Sequence, residues 1–176
     1  ICMILELIAS RLLSPYFGSS NIVWTSVIGI ILLSSSIGNY LGGKIADKNN
    51  IEKNLKFILM ATSIFILIIP FLQSNILTII SKYIENIKIG AIISTIFLFF
   101  IPSLGMGLLT PIILRLKLNN MQTAGKTTGT INAIATIGGI TGTFLGGFLL
   151  IPNLGSINIL LILVILLVWL IPLVNF

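Results

Sequence analysis

The chain has 176 residues, 56% apolar and only 8% charged, with a formal net charge of +6, no histidine and one cysteine, Cys2. A soluble domain carries roughly 25% charged residues, so this chain cannot cover a water-facing surface, and stretches of about 20 apolar residues, enough to cross a hydrocarbon core of ~30 Å, recur along it. Its ten Lys and Arg are scattered at helix ends rather than striped with aromatics, which argues against nucleic acid, and one thiol without histidine excludes an intrachain disulfide framework and a Cys/His zinc site.

In chain order, the composition predicts an all-α integral membrane protein in one domain, 1–176, with six transmembrane helices. The first, 1–13, is too short to span; it begins at isoleucine and lacks the basic start of a signal peptide, so truncation is the expectation. Pro15, Gly18 and the polar run Ser19, Ser20, Asn21 end it. A second helix is expected over 22–41, stopping at a polar loop from Gly42 to Asn54, and a third over 55–72. Between Gln73 and Lys88 the pattern weakens to apolar residues interleaved with Ser74, Asn75, Lys82, Tyr83 and Glu85, which predicts a loop with a short interfacial helix. The fourth helix, 89–109, runs into Pro102, Gly105, Gly107 and Pro111, signs of a kinked inner end. The fifth, 128–150, and the sixth, 157–174, are joined by a tight turn around Pro152, Asn153 and Gly155.

Basic residues divide unevenly between the junctions. Lys44, Lys48, Lys53 and Lys56 lie between helices two and three, and Arg115, Lys117 and Lys126 between four and five; Arg11, Lys82 and Lys88 are all that the other junctions hold. The positive-inside rule then places the loops 42–54 and 112–127, and both termini, in the cytoplasm, which implies a multi-pass protein of the cell membrane.

Helix five carries Gly138, Gly142 and Gly146 at four-residue spacing, and helix two carries Ser34, Gly38 and Gly42. Small residues so spaced let backbones approach closely where lipid removes the usual hydrophobic drive, so a packing seam between helices two and five is expected. The same glycines would also suit a helix that slides during a transport cycle. Helices three and six, nearly uniform Ile, Leu, Phe and Val, are expected to face lipid.

An ionisable residue at membrane depth is costly and points to function. Glu6 is the outstanding case, with Ser10 at helical spacing and Arg11 a turn and a half beyond. Either it binds a cationic solute or coupling proton, or it locks the helix end through Arg11, Tyr16 or a backbone group. Further polar candidates are Asn39, Tyr40, Thr110, Asn132 and Thr136, with Trp24 as an interface anchor; the asparagines also suit bridges between helices. Gly43, Asp47 and Lys48 form Gly-x-x-x-Asp-Lys, which is similar to the loop between the second and third helices of the major facilitator superfamily, although Asn49 and Asn50 stand where that motif continues. An ordinary stop loop is the alternative.

Taken together, Leu5-Glu6-Leu7, Ser10-Arg11-Leu12-Leu13, Pro15-Tyr16-Phe17-Gly18-Ser19-Ser20, Trp24-Thr25-Ser26, Gly38-Asn39-Tyr40-Leu41-Gly42-Gly43, Gly129-Thr130-Ile131-Asn132-Ala133 and Gly142-Thr143-Phe144 resemble the membrane domain of the spermidine synthase-like multi-pass proteins, the fused facilitator and spermidine synthase family. That resemblance implies a bundle like half of a facilitator, with Asp47 helping to hold and gate its cytoplasmic ends. In the family a soluble aminopropyltransferase-type domain commonly follows; here the chain reaches Phe176 directly after helix six, with four acidic residues and no Gly-rich nucleotide loop, so no enzymatic activity and no cofactor is expected of it. The functional expectation is a transporter or permease half-bundle for a small, polyamine-related cationic solute, bound through Glu6, Arg11, Tyr16, Asn39 and Asn132, with the lipid bilayer as surroundings and a homodimer as the assembly. The alternative is a non-catalytic scaffold for a cytosolic synthase-like partner.

Overall fold

The structure, a computed structural model, describes residues 1–47, 50–118 and 124–174. They fold into helix throughout, with no strand among the described residues: α1 (Cys2–Phe17), α2 (Asn21–Ala46), α3 (Ile51–Tyr83), α4 (Ile87–Lys117), α5 (Ala124–Phe144), a π-helical turn (Leu145–Leu150) and α6 (Ile151–Leu173). Helix is the form that satisfies every backbone group internally in lipid, and the mid-helix hydroxyls follow suit: Thr62 and Thr95 each donate to the carbonyl four residues back at 2.7 Å.

Four helical stretches among the described residues are long and apolar enough to cross a membrane: α2, α3, α4 and the run from Ala124 to Leu173. The chain is thus a membrane-embedded helical protein, but six separate spans are not what it presents. The first helix has 16 residues, short of the ~20 a span requires. The expected fifth and sixth helices follow one another with helix up to the turn expected around Pro152, Asn153 and Gly155, where Gly155 adopts φ 74° and ψ 160°, a left-handed region open to glycine at no steric cost.

Several boundaries move outward for local reasons. Pro15 sits inside the last turn of α1, and the helix ends instead at Gly18, whose φ of 77° turns the chain while its N–H still donates to Ser14 O at 2.9 Å. No interfacial helix separates α3 from α4. Instead α3 runs unbroken to Tyr83, burying Leu77 and Ile80 in its last turns, and at 33 residues it is about 50 Å long, so its end projects beyond the hydrocarbon. Of the polar residues read as a loop, Ser74, Asn75, Lys82 and Tyr83 are exposed on α3, and Glu85 is exposed in the link that follows. A short link then leads to α4, whose N-cap Asn86 accepts from the Lys88 N–H at 3.0 Å.

The packing seam is α2 on α4, not α2 on α5; among the described residues α2 makes no contact with α5. The two helices run parallel, in a register that sets Ser34 against Phe100, Ser35 against Ser103, Gly38 against Leu104 and Gly42 against Leu108 and Pro111. Ser34 donates to the Phe100 carbonyl, and Ser35 to that of Ser103 at 3.5 Å. A Cβ at Gly38 would collide with the Leu104 carbonyl oxygen, one at Gly107 with that of Ser35, and one at Gly42 would lie 2.7 Å from that of Leu108. Ser103, Gly107 and Pro111 share the four-residue spacing of the α2 motif, so α4 carried its own half of the seam, hidden in a segment whose glycines and prolines read as kinks.

Helices α3 and α6 also depart from expectation. Each exposes a broad apolar face, with Phe57, Phe65 and Phe71 on α3 and Ile165 and Trp169 on α6, but neither is covered by lipid alone: the two pack on each other, and α3 buries Leu55, Leu59 and Ile66 while α6 buries Ile159, Leu160, Leu163 and Leu167. Uniformly apolar helices look alike whether a neighbour or lipid covers them, because the two surroundings are equally apolar. The exposed member is α5, which has no buried residue.

Candidate functional site

Two clefts open along α1 where α4, α5 and the start of α2 flank it. The inner one, about 610 Å³, is lined by Met3, Thr110, Asn132, Ala135, Thr136, Gly139, Ile140, Thr143 and Phe144. It brings together three polar residues singled out from sequence, Thr110 of α4 with Asn132 and Thr136 of α5. Within α5 the hydroxyls are tied down, Thr136 donating to Asn132 O at 2.8 Å and Thr143 to Gly139 O at 2.9 Å. The side-chain amide of exposed Asn132 is left to offer a donor and an acceptor.

The outer cleft, about 560 Å³, is lined by Leu7, Ser10, Arg11, Ser14, Pro15, Ser19, Trp24, Gly147 and Ile151. It exists because the small residues of α5 and the π-turn meet only thinly with α1. Gly142 and Gly146 approach Ile4, and Gly146 and Gly147 approach Leu7, leaving 3.2 Å or more to a built Cβ, whereas Gly138 has nothing within 4 Å. Of these glycines Gly147 lines the outer cleft and Gly146 is buried against the Ile4 and Leu7 side chains, and the row meets side chains of α1 rather than a backbone.

Glu6 lines neither cleft but belongs to the turn of α1 between them, since Met3 faces the inner cleft and Leu7 the outer. It is half-buried, and its carboxylate has no hydrogen bond or ion pair among the described residues; only its backbone carbonyl is used, accepting from Ser10 Oγ at 3.1 Å. The lock between Glu6 and Arg11 is therefore absent. Arg11 is exposed in the wall of the outer cleft, and Tyr16 is half-buried against the apolar core rather than lining either space. Asn39 is exposed on α2, a helix that does not meet α5, so Asn39 and Asn132 are not brought together.

The expected gating loop is placed in part. Gly43 stands at the end of α2 with open space around it, Asp47 is exposed and caps that end, and Lys48 lies outside the described residues. One turn earlier Lys44 Nζ rests 4.4 Å from the centre of the Tyr40 ring, a cation–π contact. Sequence reasoning missed Ser14, Ser19 and Thr143 as cleft residues, though Ser14 follows Ser10 at the four-residue spacing that marks one helix face.

The described basic residues also segregate. Lys44, Lys53, Lys56, Arg115, Lys117 and Lys126 lie at one set of helix ends, and Arg11, Lys82 and Lys88 at the other. Val174, ending α6, borders the same apolar space as Leu55 at the start of α3 and Lys117 at the end of α4, so the chain doubles back across Gly155 to return to the more basic side. Compared with protein-family models, curated proteins and solved structures, the chain matches none of them.

Proposed function

We propose that this chain is half of a facilitator-type carrier, related to the membrane domain of the spermidine synthase-like proteins, which moves a small solute bearing a cationic group. One observation carries the reading: an unpartnered, half-buried carboxylate, Glu6, in the helix turn that separates two clefts. A carboxylate at membrane depth with no internal cation is expensive to keep, and a cationic solute arriving from either cleft offsets that cost. Asn132, Thr110 and Thr136 supply polar contacts on the inner side. Asp47 and Lys48 would act at the cytoplasmic mouth, on the side to which the excess of basic residues assigns the loops.

The helix pairing supports the facilitator part. The last three helices echo the first three in part: α2 packs closely on α4 and α5 thinly on α1, α3 packs on α4 and α6 on α1, and α3 packs on α6, whereas the contact of α1 with α3 has no counterpart between α4 and α6 among the described residues. Internal repeats of this kind build facilitator halves, and two halves enclose a midplane site. A homodimer, with the exposed α5 near the partner, completes such a path. Proteoliposome uptake of labelled putrescine tests the reading: Glu6→Gln should lower uptake at least about tenfold, a loss of roughly 1.4 kcal/mol, and equal uptake by both proteins would remove Glu6 from the mechanism. Native mass in nanodiscs should report two copies; a monomer that retains uptake would sink the dimer.

A further inference from the structure

At the more basic helix ends, α3, α4 and α6 border an apolar space of about 310 Å³. Leu55 and Leu59 of α3, Leu109 and Ile113 of α4, and Leu167 and Leu170 of α6 face it, each pair at the three- or four-residue step of one helix face. Every wall residue is Ile, Leu, Met or Val except Lys117. A buried water needs two to four polar partners, and a space without them stays dry and takes apolar guests. Leu55, Leu59 and Leu167 are buried, whereas Ile113 and Leu170 are exposed, so the space opens past them to whatever surrounds the bundle. For a chain whose solvent is lipid, that guest is an acyl chain.

The charges at the head of this space select among lipids. Lys117 stands in its wall, in the last turn of α4 beside Arg115, and Lys53 and Lys56 belong to the first turns of α3. The N-terminus of α3 lies at the same end, and its N-cap Asn50 makes no side-chain cap hydrogen bond, so the positive end of that helix dipole is open to an anion. Asp47 and Glu52 are the acidic residues on this side, outnumbered by Lys44, Lys53, Lys56, Arg115, Lys117 and Lys126. Such a field attracts an anionic headgroup and gains little from a zwitterionic one. We propose that this space binds one anionic phospholipid of the leaflet on the more basic side, with an acyl chain between α3, α4 and α6 and the phosphate toward Lys117. The site is separate from Glu6 and from the inner and outer clefts, and it does not rest on the carrier reading.

The probes are dioleoyl phosphatidylglycerol and dioleoyl phosphatidylcholine, which share their chains and differ in headgroup charge. Each is titrated onto the delipidated full chain in detergent, and bound lipid is counted by native mass spectrometry. Wild type should hold one phosphatidylglycerol at least about tenfold more tightly than phosphatidylcholine. Ile113→Trp and Leu170→Trp each place an indole at an exposed rim position and should weaken both lipids at least about tenfold; two positions, each checked by size-exclusion profile, guard against a variant that fails to fold. Lys117→Gln should bring the ratio of the two lipids within about threefold and leave phosphatidylcholine within about twofold. Equal affinities in wild type, or a preference that survives Lys117→Gln, would overturn the proposal. So would folded rim variants that bind like wild type, since lipid that merely coats the surface ignores the rim. Glycerol phosphate competing as well as the whole lipid would also sink it, because the apolar space would then play no part. A second copy seated on the rim would appear as loss of dimer mass in Ile113→Trp with lipid binding unchanged, and would count equally against it.

Discussion

Helices α2 and α5 carry the same small-residue motif and use it in opposite ways. On α2, Ser34, Gly38 and Gly42 are buried against the backbone of α4. On α5, Gly138 has open space around it and Gly142 makes only ordinary contact with Ile4, and α5 buries no residue of its own; Gly146, in the π-turn that follows, is buried against the Ile4 and Leu7 side chains. The motif permits close approach but does not bring it about; a partner with a matching row does. For α2 that partner is the Ser103, Gly107 and Pro111 row of α4, whereas the glycine row of α5 and the π-turn meets the side chains of Met3, Ile4 and Leu7 rather than a backbone.

The sharpest way to break this contrast is Gly38→Leu. A side chain there must displace the α4 backbone at Leu104, and overpacking costs roughly 1–3 kcal/mol even where side chains can yield. We expect about 3 kcal/mol or more, seen as loss of monodisperse protein or a large drop in Tm in detergent; near-native stability would show that the seam is not where it is drawn. Gly155→Ala comes next, since alanine at φ 74° costs roughly 1–2 kcal/mol; an unchanged Tm would mean that the chain turns elsewhere. Ser34→Ala removes the hydroxyl that bonds to the Phe100 carbonyl and should cost about 0.6 kcal/mol, the average for hydrogen bonds between membrane helices. The smallest effect is expected from Gly138→Leu, under about 0.5 kcal/mol, because nothing stands within 4 Å of the added carbon. A loss there as large as that of Gly38→Leu would sharpen the comparison differently, by showing that a second copy covers α5.

The clefts divide along similar lines. Glu6 stood out in the sequence because a carboxylate among Met3, Ile4, Leu5, Leu7 and Ile8 is costly wherever the helix sits, and the structure keeps it unpaired. Thr110, Asn132 and Thr136 were legible as polar residues in apolar helices, and the inner cleft collects them. Asn39 was equally legible, yet it lies on a helix remote from α5. Ser14 was marked only by its four-residue spacing from Ser10, and Ser19 read as part of the polar run that ends the helix, since a serine near a helix end serves as readily as a cap.

What the sequence determined by itself is the solvent and the secondary structure. With so few charges and apolar runs of spanning length, only helices in lipid satisfy the backbone, and the asymmetry of Lys and Arg marks one set of helix ends. The partners were decided by tertiary structure alone. In water, the apolar stripe of a helix announces which face is buried; in lipid every face is apolar. Whether α3 meets α6 or hydrocarbon, and whether a glycine row meets a backbone or a cleft, then depends on shape complementarity between segments far apart in the chain, which no single helix records.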